Sequence, residues 1–255
     1  MNLKIQPEKE AYRIAAFIVK TVNEAHSRGA VVGLSGGIDS AVVGALCVKA
    51  LGKSRVLALL MPSDHTPRED LEDARKLAGS WGIRQEEIPI SGIVKAVNAS
   101  MAQGTKMAKA NAQARVRMIL NYYRANSLGY LVAGTGDRSE ELLGYFTKWG
   151  DGGADFLPIA HLYKTQVREL GAYLGLPKRV VEKPASPQLW RGQKATDEIP
   201  ADYVKLDIVL HYLFDLKAKA AEAAAGARVP LAVVNRVAEL HMKTEHKRKL
   251  PPSLA

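Results

Sequence analysis

The residues best suited to chemistry lie in the run VVGLSGGIDSAVVGAL, where an apolar segment enters a loop of Ser35, Gly36 and Gly37 and an apolar segment leaves it. Glycines let a backbone approach a ligand closely and take positive φ. The unpaired N–H groups at the start of a following helix make an anion site. The hydroxyls of Ser35 and Ser40 add donors. Asp39 is the odd member, because a carboxylate in an anion cradle repels phosphate unless a cation lies between. Magnesium bridging Asp39 and phosphate oxygens removes that conflict. An ordinary strand-to-helix turn also uses paired glycines with Ser or Asp caps, but the full pattern SGGxDS between strand and helix argues for the anion loop. It is neither GxxxxGK[ST] nor GxGxxG.

Positioning such a loop takes an alternating chain. Residues 7–28 carry Tyr12, Ala15, Ile18, Val19 and Val22 at helical spacing, and Gly29 ends the helix. Strands are expected at 30–34, 55–61, 86–90 and 130–133, and helices at 40–51, 67–81 and 106–125. Strands separated by helices need crossover connections. The expected fold is therefore α/β, a doubly wound, mainly parallel sheet flanked by helices on both faces. Segments 144–158 and 183–200 are rich in Gly, Pro and charge, a composition of functional or mobile loops. From 201 to 249 the pattern is helical. No repeat or composition break divides residues 1–255, so a single domain is expected.

Lys and Arg number 36 against 26 Asp and Glu, a formal charge of +10 that favours anionic partners without choosing among them. The cluster Lys243, His246, Lys247, Arg248 and Lys249 reads first as a solvated helix end. One cysteine, Cys47, excludes an internal disulfide and a cysteine-based zinc site, and its apolar surroundings fit a buried thiol better than a nucleophile. No apolar run is long enough to span a membrane, and the amino-terminal residues do not form a signal sequence. A cytoplasmic protein is expected, with no membrane or nucleic-acid partner.

Five further segments add to SGGIDS: NAQARVRM at 111–118, GTGDRSE at 134–140, GYFTKWGDGGADFLPIAHLYKTQVREL at 144–170, KPASPQLWRGQ at 183–193 and HKR at 246–248. Together they resemble the motifs of ammonia-dependent NAD synthetases, within the ATP pyrophosphatase superfamily, over residues 10 to 249. The pair FTKxGDGGAD and SGGxDS carries most of the specificity.

The resemblance implies a ligase that adenylates nicotinic acid adenine dinucleotide with ATP, releases pyrophosphate and amidates the intermediate with ammonia. By that resemblance Gly33, Leu34, Ser35, Gly36, Gly37, Ile38, Asp39 and Ser40 hold the phosphates of ATP, with Thr135, Lys164 and Ser186 as further ATP contacts. Asp39 and Glu140 share magnesium, although Glu140 also suits a helix start electrostatically. Arg115, Lys148, Asp155, His246 and Lys247 face the dinucleotide, with a surface ion pair as the other reading of Arg115. Lys164 would neutralise phosphate charge during transfer, and Asp155 is a candidate polariser of ammonia. Free ammonia is the expected donor, since no amidotransferase domain accompanies the motifs. A homodimer is implied, for which the amphipathic segments 106–125 and 201–215 offer surface. In the loop at 183–195, Ala185, Pro187 and Gln188 depart from the pattern and Lys194-Ala195 resembles an insertion. Two other readings stay open: a tRNA-modifying adenylating ligase, which a single cysteine disfavours, and a nucleotide- or nucleic-acid-binding protein without turnover.

Overall fold

A computed structural model describes residues 3–101, 103–190 and 192–254. Four strands, β1 (Ala30–Gly33), β2 (Val56–Leu60), β3 (Arg84–Glu87) and β4 (Leu131–Ala133), form one parallel sheet in the order β3-β2-β1-β4. The order reverses direction after β3, so β1 lies between β2 and β4. Open sheets of this kind bind ligands at that switch, outside the carboxyl ends of the strands.

Period-two alternation sorts the strand side chains. Ala30, Val32, Val56, Ala58 and Leu60 enter one core with α1 (Pro7–Glu24), α2 (Ile38–Leu51), α3 (Arg68–Trp81) and α7 (Lys164–Tyr173). Val31, Leu57, Leu59 and Val132 enter the opposite core, against Val116 and Ala125 of α5 (Lys106–Leu128) and beneath α4 (Ser91–Ala99). The expected doubly wound α/β fold is present. Helix α2 is apolar on all sides because it is wedged between α1, α3, α7 and the sheet; Val42, Val43, Leu46 and Cys47 have no exposed surface. Burial pushes the Cys47 thiol up to about 12, as a structural thiol requires.

A third cluster contains no strand residue and is built mainly by helices. Leu143 of α6 (Arg138–Leu143) packs with Leu206, Val209 and Leu210 of α9 (Tyr203–Leu210), Ala223 of α10 (Ala220–Ala227) and Val234 and Val237 of α11 (Leu231–Lys243). Two short helices complete the set, α8 (Lys178–Val181) and α12 (Glu245–Arg248). No helix among the described residues is long and apolar enough to cross a membrane.

The third strand needs correction. The apolar Ile88 and Ile90 suggested 86–90, yet the strand is the charged segment Arg84–Glu87 at the sheet edge. Edge position explains it: Arg75 and Arg124 pair with Glu87 and Glu86 across the rim, while Ile90 turns under the sheet into the second core. Helix α4 follows at once and was not anticipated. Helix α1 ends at Glu24, four residues before the expected 28.

Truncating Leu46 to Ala removes apolar volume from a site that touches solvent nowhere. It is expected to lower the free energy of unfolding by about 2–5 kcal/mol. In urea titrations the midpoint should fall with the slope unchanged.

Candidate active site

The carboxyl edge of the sheet opens on a cavity of about 770 Å³. Its floor is the glycine loop between β1 and α2. Gly36 has φ +80°, and a Cβ there would sit 2.2 Å from the carbonyl oxygen of Asp70 in α3, so conformation and packing both demand glycine. Ser40 Oγ donates to Gly37 O at 3.1 Å and accepts from Ser35 N, also at 3.1 Å, while Ser35 Oγ accepts from Gly37 N at 3.2 Å. These bonds hold the loop open as a cradle, and Gly37 caps α2. Seven of the eight loop residues named from the sequence line the cavity; Gly36 packs behind it, against α3.

Beside the loop lies the densest charge cluster. Lys164 Nζ is 2.7 Å from Asp39 Oδ2, 2.8 Å from Asp137 Oδ2 and 2.9 Å from Glu140 Oε1. The contacts to Asp39 and Glu140 are aligned hydrogen bonds, whereas that to Asp137 is a charge contact alone. Lys164 and Asp137 are wholly enclosed, while the carboxylates of Asp39 and Glu140 keep 21% and 22% of their surface towards the cavity. Burial by itself would lower the lysine pKa; the three carboxylates outweigh it and hold the ammonium charged well above its usual range. Burial pushes Asp137 up to about 6, with Asp39 adding repulsion and Lys164 opposing both. Glu140 is raised well above its ordinary value for the same leading reason, with Asp137 and Asp39 adding to it.

The carboxylates fit a divalent cation. Oxygens of Asp39, Asp137 and Glu140 lie within 4.8 Å of one another. Asp39 Oδ1 is buried without any hydrogen-bond partner, an arrangement that costs free energy unless a ligand takes it up. With all three acids ionised, the cluster holds two negative charges in excess of its lysine, which is the charge of one magnesium ion. Oxygen donors of this kind suit magnesium alongside nucleotide phosphates.

Asp137 is the member that the sequence reading missed. It stands within GTGDRSE without a role of its own, yet it caps α6 by accepting from Glu140 N at 2.8 Å and faces Lys164 with its other oxygen. The signal was present as D-x-x-E before a helix, the spacing of a cap and its first-turn acid. Lys164 itself lies behind the cavity wall rather than on it. Its backbone N–H donates to Ser139 Oγ at 3.0 Å, and Asp207 of α9 accepts from Thr165 N at 2.8 Å and from Ser139 Oγ at 2.6 Å.

Thr135 follows β4 on the cavity wall, and Ser186 lines the same cavity. The hydroxyl of Ser186 donates to Gln193 O and accepts from Gln188 N at 3.2 Å, both within its own loop. That loop lines the cavity from Lys183 to Trp190 and again at Gln193. Lys183 and Gln188 bond the carboxylate of Asp70, and Gln113 Nε2 donates to Leu189 O at 2.8 Å. Ala195 of the apparent insertion packs into the helical cluster and closes the loop base through Ala195 N to Ala185 O at 3.1 Å.

The residues assigned to the dinucleotide divide. His246 and Lys247 line the cavity; Arg115, Lys148 and Asp155 lie outside it. Arg115 donates to Lys148 O at 3.2 Å, and Lys148 Nζ donates to His246 O at 2.5 Å, so these three form one chain along an exposed rim. Asp155 accepts from Val132 N at 2.7 Å and from Tyr122 Oη at 3.1 Å. The carboxy-terminal basic cluster is only partly solvated. Lys247 bonds the carbonyls of Gly144 and Phe146, both at 2.7 Å, and Arg248 bonds those of Glu141 and His241. These cations satisfy the carboxyl end of α6, where the helix dipole favours them.

A parallel sheet with a glycine loop at its switch point and acids poised beside that loop defines an α/β protein with a phosphate-binding site at the carboxyl ends of its strands. The chain belongs to the NAD synthase family, whose model matches residues 10–251. It is 49% identical over 253 residues to the NH(3)-dependent NAD(+) synthetase of Hyperthermus butylicus, covering 98% of this chain and 92% of that protein. Among solved structures it resembles the NMN synthetase of Francisella tularensis, at TM-score 0.88 and 35% identity, covering 98% and 99% of the two chains. It also resembles the NH3-dependent NAD synthetase of Campylobacter jejuni, at TM-score 0.85 and 31% identity, covering 98% and 100%.

The raised carboxyl groups set a pH dependence. A folded protein that retains protons released by the unfolded chain gains stability at low pH and loses it as pH rises through the folded-state pKa, for Asp137 about 6. Asn at 137 keeps the cap without the titration. In metal-free protein, the drop in unfolding free energy between about pH 5 and about pH 7.5 should be smaller for Asp137→Asn than for wild type. Denaturant unfolding at the two pH values measures both drops.

Proposed function

We propose that the protein converts nicotinic acid adenine dinucleotide to NAD with ATP and ammonia, releasing AMP and pyrophosphate. The observation that carries this reading is the cradle of the glycine loop with the unpartnered oxygen of Asp39 aimed beside it, in a chain of the NAD synthase family. The 49% identity to a relative named NH(3)-dependent NAD(+) synthetase supports free ammonia as the donor.

On this reading residues 33–40 hold the ATP phosphates, with Thr135 and Ser186 along the nucleotide. Asp39 and Glu140 hold magnesium, which supplies positive charge to the phosphate oxygens. Lys164 adds a second positive charge from within the cluster and keeps the two acids at a fixed separation. The nicotinate carboxylate oxygen attacks the α-phosphorus, and the bond to the bridging oxygen breaks with its electron pair leaving on pyrophosphate. Ammonia then attacks the acyl carbon of the mixed anhydride, AMP departs, and the amide nitrogen loses a proton. Most of the rate enhancement comes from orientation and charge stabilisation. Arg115, Lys148, Asp155, His246 and Lys247 bind the dinucleotide. Asp155 orders its surroundings through Tyr122 and Val132, and its proposed action on ammonia is secondary to that. The reaction belongs to the cytoplasm, where ATP is abundant.

A homodimer accompanies this reading. Ile119 and Tyr123 of α5 are 58% and 68% exposed beside Arg115, an apolar strip next to charged dinucleotide contacts. A second copy of the chain covering it would enclose a site that one chain leaves open. Tyr123→Glu is expected to shift the particle mass measured by light scattering from two chains to one and to raise the KM for the dinucleotide. Unchanged mass would refute that surface.

The assay combines protein, magnesium, ATP and nicotinic acid adenine dinucleotide, with ammonium supplied or withheld. NAD is expected only with ammonium, with AMP and pyrophosphate in equal amounts. Asp39→Asn should lower kcat/KM by about 100-fold or more. The likeness to an NMN synthetase sets a parallel reaction with nicotinic acid mononucleotide; faster amidation of the mononucleotide would move the substrate assignment to it.

A further inference from the structure

The segment NAQARVRM carries two arginines two positions apart on α5. Successive residues of an α-helix turn by about 100°, so Arg115 and Arg117 point about 200° apart and cannot serve one surface. The structure obeys this. Arg115 is exposed and bonds Lys148 O on the rim. Arg117 lies on the opposite face with Asn111, Ala114 and Asn121, spaced three or four apart, and all four line the cavity.

Among the described residues the one side-chain hydrogen bond of Arg117 is from Nε to Met61 O at 3.2 Å. Its terminal nitrogens therefore keep their donors, and it joins no ion pair. Burial pulls its pKa down, with Asp151 opposing the shift from a distance. Asp151 is itself committed, accepting from Thr147 N at 2.8 Å. Arg117 is half-buried, and its unused donors open on the cavity, where an oxyanion can take them up. One helical turn along, about 6 Å, the amide of Asn121 lies 3.3 Å from where a Cβ of Gly33 would sit. Arg117 thus stands about one turn from the entrance of the glycine loop.

We propose that Arg117 binds an oxyanion of a substrate inside the cavity, either a phosphate of the nucleotide triphosphate or the carboxylate that attacks it. Its planar fork can take two oxygens of either group. Arg117 is then a ligand-binding residue distinct in place and role from Arg115. The inference rests on the proposed function and names a further contact within it.

The test is calorimetric titration of wild type and Arg117→Gln with ATP and magnesium, and separately with nicotinic acid adenine dinucleotide. Gln keeps a donor for Met61 O and removes the charge. At least one affinity is expected to fall by about tenfold or more, and the ligand affected identifies the oxyanion. Both affinities matching wild type would overturn the inference, whatever happens to turnover or melting temperature. Wild type that binds neither nucleotide would instead sink the proposed function, so the two failures are distinct. If Arg117→Gln does not fold, wild type treated with an arginine-directed dicarbonyl decides by peptide mass spectrometry. Arg117 is expected to be labelled in free protein and protected by one of the two substrates. No labelling in free protein, or equal labelling with both substrates present, overturns the inference.

Discussion

An ammonium ion buried without water is tolerable only where fixed negative charge replaces its hydration, and the position of Lys164 among Asp39, Asp137 and Glu140 meets that condition. Those three acids come from two places in the chain, the start of α2 and the start of α6, and the lysine from a third, the start of α7. Satisfying one charge thus brings three helix beginnings to a point beside the glycine loop. When all three are ionised their charge exceeds that of the single ammonium, so the cluster suits a magnesium nucleotide.

The same point joins the separate cores. Asp207 belongs to α9 in the helical cluster, yet it accepts from Thr165 at the start of α7 and from Ser139 in α6. Helix α7 in turn packs Val167 and Leu170 into the sheet core. The cavity occupies the seam between these bodies, with its floor from the sheet, one wall from α5 and another from the helical cluster. A cleft formed at a seam can carry charged groups that neither core would admit. The loop at 183–193 is bonded to α3 through Asp70 and to α5 through Gln113, so its ordering depends on helices from opposite faces of the sheet.

Local physics accounts for what could be read without coordinates. Strands β1, β2 and β4 were legible because their apolar runs are bounded by glycine or by polar turns. The glycine loop was legible because Gly36, Gly37, Asp39 and Ser40 are adjacent in the chain. Strand β3 was misplaced because an edge strand is held by backbone pairing and rim charges rather than by apolar burial. Asp137 was not singled out because its place in the site depends on Lys164, which lies 27 positions later in the chain. Arg117 was overlooked in favour of Arg115, since the chain gives both arginines in one motif and only the orientation of α5 says which one faces inward.

The sequence by itself determined most element types, the parallel sheet, the anion loop and the membership of the motifs in one family, because each depends on periodicity or on neighbours within a few residues. Tertiary structure alone decided that Lys164 is enclosed by three acids and that the carboxy-terminal cations satisfy the end of α6. It also decided that one arginine of the pair enters the cavity while the other marks its rim. Those outcomes turn on the docking of helices far apart in sequence, and charge burial and helix orientation are properties of that docking rather than of any local pattern.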